Sequence, residues 1–267
     1  MQEKPTYWDK SKKLIKTASE LSWNFPEQKQ GSLAILGGNS SSFSKEIKIA
    51  EYTSRTFPFL KSIKNIFPDS LKKQIPILEN IDFFESTESG SFKRSGEFYS
   101  SIENTDFALY LGDFSKNSET ALAISEIIKR NEEIPTLLTR DTVDLVANEA
   151  DNFIDRENLT ILASLVQLQN LFRALYYPKV ILLSQPLLPI LETLHKFTIS
   201  YPCTLITFHE GKIICANSGK IATVDLEQTD YSPLSLWSGE LAADISVFTM
   251  FNKNKPFESA FAGTLYK

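Results

Sequence analysis

The sequence predicts an α/β fold in which helices cover both faces of a mostly parallel sheet and an antiparallel hairpin lies near the C-terminus. Three observations predict it. Short runs such as 32–36 and 107–111 are almost continuously apolar, as expected of strands buried on both faces. Each ends in a turn of Gly, Ser, Asn or Asp, after which apolar residues recur at helical spacing, the signature of a βα unit. Beyond about residue 198 the period becomes strand-like, and Glu210-Gly211 separates two such stretches, the signature of a hairpin.

In chain order, residues 8–22 place Leu14, Ile15, Ala18 and Leu21 on one helical face, and residues 23–27 break that helix. The strand over 32–36 runs into Gly37-Gly38-Asn39-Ser40-Ser41-Ser42 and then a helix over 44–53. A strand over 62–67 closes at Pro68, where a short helix starts. Residues 81–84 form a weaker strand, and Ser89-Gly90-Ser91-Phe92 opens a helix near Lys93. The clearest unit is the strand 107–111, the polar turn 112–118, and a helix over 119–129 with Ala121, Leu122, Ile124, Ile127 and Ile128 inward. Strands over 134–139 and 159–162 precede helices at Asp141 and Ser164. Residues 180–183 read as a further strand, and 186–198 as the last crossover helix. Strands over 203–208, 212–216 and 221–224 make a meander, followed by helices from Ser238 and Pro256. No repeat, linker or shift in composition marks a second domain. Residues 31–267 therefore read as one domain, with 1–30 as a helical extension packed on it.

A chain of 267 residues with 42% hydrophobic and 23% charged residues is an ordinary globular protein with enough length for a sizeable core. Its net charge of −5 argues against a general nucleic-acid surface. With no run of 18 apolar residues and no apolar segment after the opening Met-Gln-Glu-Lys, no membrane partner and a cytoplasmic location are expected. Cys203 and Cys215 read as buried thiols. His195 and His209 have no second ligand at metal spacing, so no protein-held metal is expected.

The chemistry concentrates on Leu236-Trp237-Ser238-Gly239-Glu240-Leu241-Ala242-Ala243. Ser238 suits an N-cap, Gly239 lets backbone approach a ligand, and Glu240 puts a carboxylate in the first helical turn. Such a helix start can hold a phosphate and set a base beside it; the same residues also serve an ordinary capped core helix. Gly37-Gly38-Asn39 and the 112–118 turn fall where ligands bind, at the carboxyl ends of strands. Neither is a GxGxxG or a P-loop. In the second turn Ser115 and Asn117 can cap the following helix or hold an anion, and Asp141 can act in chemistry or cap its own helix.

With these units in place, the chain resembles the ribokinase-like superfamily, and within it the ADP/ATP-dependent NAD(P)H-hydrate dehydratases, over about residues 30–267. Leu33-Ala34-Ile35-Leu36-Gly37-Gly38 resembles that family's first strand and turn. Leu111-Gly112-Asp113 to Thr120 stands in place of its Gly-Pro-Gly-Leu-Gly loop, Pro135 to Asp141 in place of Pro-x-x-x-Asp-Ala-Asp, and Trp237 to Ala243 in place of Gly-Thr/Ser-Gly-Asp-Val-Leu-Ala. Pro256-Phe257-Glu258-Ser259-Ala260 and Ala262-Gly263 resemble Pro-Phe-Glu-Ala-Ala and Ala-Gly-Val-Tyr. The resemblance implies a three-layer α/β/α sandwich and a lyase that repairs hydrated NADH or NADPH with ADP or ATP and Mg²⁺. It implies Glu240 as the catalytic group; Ser238, Gly239, Gly112, Asp113, Ser115 and Asn117 around the nucleotide and its phosphates; and Gly37, Gly38, Asn39 and Asp141 around the substrate. It is also compatible with a homo-oligomer. The chain departs from the family at several places. Glu240 replaces an aspartate, Trp237 a glycine and Thr139 the first acid of Asp-Ala-Asp. Residues 163–168 keep none of the family's His, Pro or Glu, and Thr207-Phe208 lacks its lysine. A degenerate nucleotide-binding protein and a small-molecule kinase are the alternatives.

Overall fold

Turn chemistry and strand pairing, rather than helical periodicity, decide where the elements begin. The computed structural model describes residues 5–10, 12–76 and 79–266. The chain opens with β1 (Trp8–Asp9), α1 (Lys12–Glu20) and a 3₁₀ turn over Leu21–Asn24. The leading helix is thus shorter than its pattern: Trp8 and Asp9 pair in parallel with Ile221 and Ala222, and the Trp8 indole donates to Thr223 Oγ1 at 3.0 Å. There follow β2 (Gln30–Gly37), α2 (Ser44–Thr56), β3 (Leu60–Pro68), β4 (Ile81–Phe84), α3 (Gly96–Tyr99), β5 (Phe107–Gly112), α4 (Ser118–Arg130), β6 (Thr136–Thr139), α5 (Asp141–Val146), β7 (Leu159–Leu162) and α6 (Leu165–Ala174). The chain ends with α7 (Leu187–Ser200), β8 (Thr204–His209), β9 (Lys212–Asn217), β10 (Lys220–Asp225), α8 (Ser235–Ser238), α9 (Glu240–Phe251) and α10 (Pro256–Gly263).

Three local expectations fail for identifiable reasons. No helix opens at Lys93, because Ser86 bridges Phe92 and Lys93 N–H donates to Glu85; Ser95 instead caps α3 by accepting from Phe98 N–H at 3.1 Å. Residues 180–183 are not a strand: β8 lies directly beside β7, leaving no slot, and Leu182 and Gln185 close a turn through paired bonds of 3.0 Å. Ser238 is not the N-cap of α9 but the last residue of α8. Gly239, at φ 92°, forms the junction.

Among the described residues the strands form one sheet in the order β1-β10-β9-β8-β7-β6-β5-β2-β3-β4, antiparallel only at β8/β9 and β9/β10. Alternation along each strand feeds two apolar layers. Leu33 and Ile35 of β2 and Leu109 and Leu111 of β5 join one core with α1, α2, α9 and α10; Ala34, Leu36, Ala108 and Tyr110 join the other, built on α3 to α7. This is why the parallel strands read as continuous apolar runs. Helix α9 is buried at every position from Leu241 to Met250, which makes it a core helix rather than an amphipathic surface one. No described helix is long and apolar enough to cross a membrane.

The topology also points to a site. From β2 the chain moves outward to β3 and β4, then returns to β5 on the other side of β2 and continues to β6, β7 and β8. The order therefore reverses between β2 and β5. In open α/β sheets the crevice at the carboxyl ends of the strands flanking such a reversal is where ligands bind.

Candidate active site

At the reversal point the sheet ends in two glycines. The ladder shifts register between Leu36 and Gly37, so that Gly37 faces Gly112, and Gly38 N–H donates to Gly112 O at 2.9 Å. Gly112 must lack a side chain: its φ is 108°, and a Cβ there would lie 2.2 Å from Asp141 Oδ1. The Asp141 carboxylate occupies that space and accepts from Asp113 N–H at 2.8 Å and Phe114 N–H at 3.1 Å. Burial raises its pKa, opposed by the Asp113 N–H and by Arg140. Asp113 (φ 57°) and Arg140 (φ 55°) hold left-handed backbone conformations that cost non-glycine residues free energy. They pair in a buried ion pair at 2.5 Å, and Arg140 also donates to Leu111 O. Gln167 of α6 donates to Arg140 O at 2.5 Å and to Asp144 at 2.9 Å, fixing the strained turn from below.

Asn39 ties the first glycine turn to the second by donating to Asp113 O at 2.5 Å. The segment 86–92 holds the rim. Ser40 N–H donates to Gly90 O, Ser115 Oγ to Ser89 O at 3.0 Å, and Asn117 Nδ2 to Ser89 Oγ at 2.8 Å. Asn117 also caps α4 by accepting from Thr120 N–H at 2.8 Å. Asp141, Asn117 and Lys116 still border a cleft of about 290 Å³. Of the sequence-derived candidates, Gly37, Gly38, Asn39, Gly112, Asp113 and Asp141 thus converge by direct contact, and Ser115 and Asn117 reach them through the 86–92 rim.

Ser238, Gly239 and Glu240 approach from the opposite layer. A Cβ on Gly239 would lie 2.9 Å from both Leu111 Cδ1 and Ile49 Cγ1, so the start of α9 sits against the end of β5, one residue from Gly112. The unsatisfied N–H groups of a first helical turn point out beyond the helix start. Half-buried Glu240 is close enough for its charge to raise the pKa of the Tyr52 and Tyr231 phenols, after burial and Asp244. Asp244, one turn further on and fully buried, accepts from Tyr52 at 2.9 and 3.0 Å and from Tyr231. This clamp ties α9 to α2 and to the segment before α8. Tyr231→Phe should cost about 1.5–3 kcal/mol in urea unfolding, the usual worth of a hydrogen bond to a buried charge. A change below about 0.5 kcal/mol would mean that the clamp does not hold the helix.

Sequence reasoning missed Glu46. It sits in the first turn of α2, fully buried under Gly37, and neither carboxylate oxygen reaches a hydrogen-bond partner of good geometry. Burial drives its pKa up to about 8; its own N–H and Arg140 oppose the rise, and Asp113 and Asp141 add to it. Sequence reasoning also missed an apolar cavity of about 390 Å³ beside α8, walled by Leu165, Val166, Phe208, Leu226, Leu236 and Trp237. The first three belong to 163–168 and 207–208, the stretches in which the chain departs from its resemblance. Cys203 and Cys215 are free, buried thiols with raised pKa values, the former up to about 12. His195 stacks on Tyr7, and His209 lies 2.9 Å from Gln185 O.

No protein-family model matches the sequence, and no curated protein matches it either. Solved structures do match. The chain is similar to a hypothetical protein of Streptococcus mutans (TM-score 0.65, 14% identity, covering 92% of this chain and 85% of that one). It is likewise similar to a ribokinase-like superfamily protein of Enterococcus faecalis (TM-score 0.65, 11% identity, 99% and 87% covered). A Bacillus subtilis pyridoxal kinase, solved as an ADP complex, matches at TM-score 0.52 and 10% identity, covering 88% of this chain and 89% of that one. The fold is therefore ribokinase-like: a three-layer α/β/α sandwich with a mostly parallel sheet and a C-terminal antiparallel patch.

Proposed function

We propose that this chain carries out nucleotide-dependent chemistry on the hydroxyl of a small molecule, and that the reaction is the ADP- or ATP-driven dehydration of hydrated NADH or NADPH. The observation that carries the reading is the start of α9. A glycine junction against the end of β5 and a carboxylate in the first turn meet at the point where strand order reverses, and an apolar cavity lies two strands away, at the carboxyl ends of β7 and β8 beside α8. The cavity fits a nucleobase, and the helix start fits the phosphates. A bound nucleotide supplies the phosphoryl group. Glu240 takes the proton of the hydrate hydroxyl as its oxygen bonds to the terminal phosphorus and the bond to the leaving diphosphate (or monophosphate, from ADP) breaks. The N–H groups of Gly239 and Glu240 at the start of α9 steady the charge on the phosphoryl oxygens; the Ser238 N–H, counted with them from the sequence, is instead committed to Leu234 O at 3.2 Å inside α8. Loss of the new phosphate with a ring proton then restores the nicotinamide double bond. Gly37, Gly38, Asn39 and Asp141 line the hydrate side; Gly112, Asp113, Ser115 and Asn117 line the nucleotide side.

Among the described residues no group of three or more His, Cys, Asp or Glu side chains converges to hold an ion. Mg²⁺ would therefore enter mainly on the nucleotide phosphates. A small-molecule kinase is the second reading, favoured by the fold shared with the pyridoxal kinase solved with ADP. Calorimetry with ADP and ATP in Mg²⁺, followed by an assay for the return of nicotinamide absorbance, tests the proposal. Glu240→Gln should lower turnover by on the order of 10² to 10⁴-fold with little change in nucleotide affinity. Full turnover in that variant would rule out the proposed base. Nucleotide binding without repair, but with ADP release on adding an alcohol, would favour the kinase. Binding without any turnover would make the site a degenerate nucleotide-binding one.

A further inference from the structure

A cavity of about 740 Å³ lies away from this site, along the early half of β3 and under the flank of α2. Among the described residues, strand β4 pairs with Asn65–Pro68, beginning with Asn65 opposite Ile81, and the preceding residues of β3 have a neighbour strand only in β2. Asn65 N–H donates to Asn80 O at 2.8 Å, which fixes the direction of the amides. Successive residues of a strand alternate sides, so the N–H and C=O groups of Ile63 also point away from β2, into the groove; before Ser62 the main chain turns back to β2, where Phe59 O accepts from Gln30 N–H at 2.8 Å. Ile47 and Ala50 of α2 form the apolar side of the groove. Lys29, Arg55 and Lys61 stand at its rim against the single acid Glu51, a basic patch on a chain whose net charge is −5. Asn65 is 2% exposed and its Oδ1 has no hydrogen-bond partner, an uncompensated acceptor in the wall of the groove.

We propose that this groove receives an extended acidic peptide segment of another protein, added as a strand beside β3 in line with β4. Main-chain groups of the peptide pair with the N–H and C=O of Ile63. Alternate apolar side chains pack on Ile47 and Ala50, and carboxylates meet Lys29, Arg55 and Lys61. A second copy of this chain is a poor occupant, because pairing two such edges would bring Lys61 and Arg55 of each copy together.

The test is fluorescence anisotropy of the intact protein with a labelled, N-acetylated Glu-Val-Glu-Val-Glu-Val peptide and its Lys-Val counterpart. The acidic peptide should bind at least about tenfold more tightly. Ile63→Pro deletes the groove-facing N–H and should weaken binding about tenfold; because Ile63 also packs against the core its unfolding midpoint should fall, so binding is read well below that midpoint. Arg55→Glu, at an exposed helical position, should weaken it as well without touching the sheet. Glu240→Gln should bind the peptide as well as the unchanged protein, which separates this groove from the active-site proposal. Absence of binding, or equal binding of the basic peptide, would overturn the proposal and leave Lys61 as a guard against edge pairing. Displacement by citrate alone, or undiminished binding by Ile63→Pro, would overturn it in favour of a small-anion site.

Discussion

Glu46→Gln should make the protein more stable at alkaline pH and change it little in mild acid. In the fold this carboxyl ionises near pH 8, because burial under Gly37 disfavours the charged form and Asp113 and Asp141 add repulsion that Arg140 only partly offsets. In the unfolded chain it ionises near its ordinary value of 4.5. Between those values the native state holds a proton that the unfolded state has released. The stabilisation from the neutral group is therefore complete below about pH 4.5 and is lost as the pH rises through 8. At about 1.4 kcal/mol per pH unit the interval corresponds to on the order of 5 kcal/mol. Glutamine is neutral at every pH and should escape this loss. Denaturant unfolding of both proteins at pH 5 and pH 9 measures most of it: the variant should gain about 4 kcal/mol over the unchanged protein between the two. Parallel pH profiles would mean that Glu46 is solvated or paired as an ion, and the strand ends would then be more open than described here.

Gly112→Ala should be among the most damaging single-methyl changes in the chain. The new Cβ would fall 2.2 Å from Asp141 Oδ1, at a φ of 108° that alanine tolerates poorly. Displacing that carboxylate frees the N–H groups of Asp113 and Phe114, which it accepts from at 2.8 and 3.1 Å. Backbone strain of about 1–3 kcal/mol and weakened bonds to a charged acceptor together give a loss of about 3–5 kcal/mol, or a Tm lower by on the order of 10 °C. Gly96→Ala is the matched control, since nothing lies within 4 Å of its Cβ position. If both variants melt within about a degree of the unchanged protein, Asp141 is not holding the turn, and its part in the site would have to be reconsidered.

The parallel core was legible in the sequence because a strand buried on both faces must be apolar at nearly every position, as 33–36 and 107–111 are. The site was half legible. Gly37, Gly38, Gly112 and Gly239 announce themselves because only glycine meets the positive φ or the close backbone approach required there. The expectations that failed rested on local pattern alone. Residues 180–183 carry a strand-like pattern but have no place in a sheet whose β7 and β8 are already adjacent. Trp8 and Asp9 continue a helical pattern but are claimed by an edge strand more than 200 residues away. Glu46 looks like any first-turn helix acid, and only the packing of α2 under Gly37 removes it from water and lifts its proton affinity. Likewise, Leu165, Phe208 and Trp237 come from three separate segments and make a cavity only when the sheet and α8 bring them together. The sequence by itself determined the layers, the order of the βα units and the glycine turns, since these follow from periodicity and backbone sterics. Tertiary structure alone decided which acids are buried, which loops touch and where the cavities lie, since these depend on contacts between residues far apart in the chain.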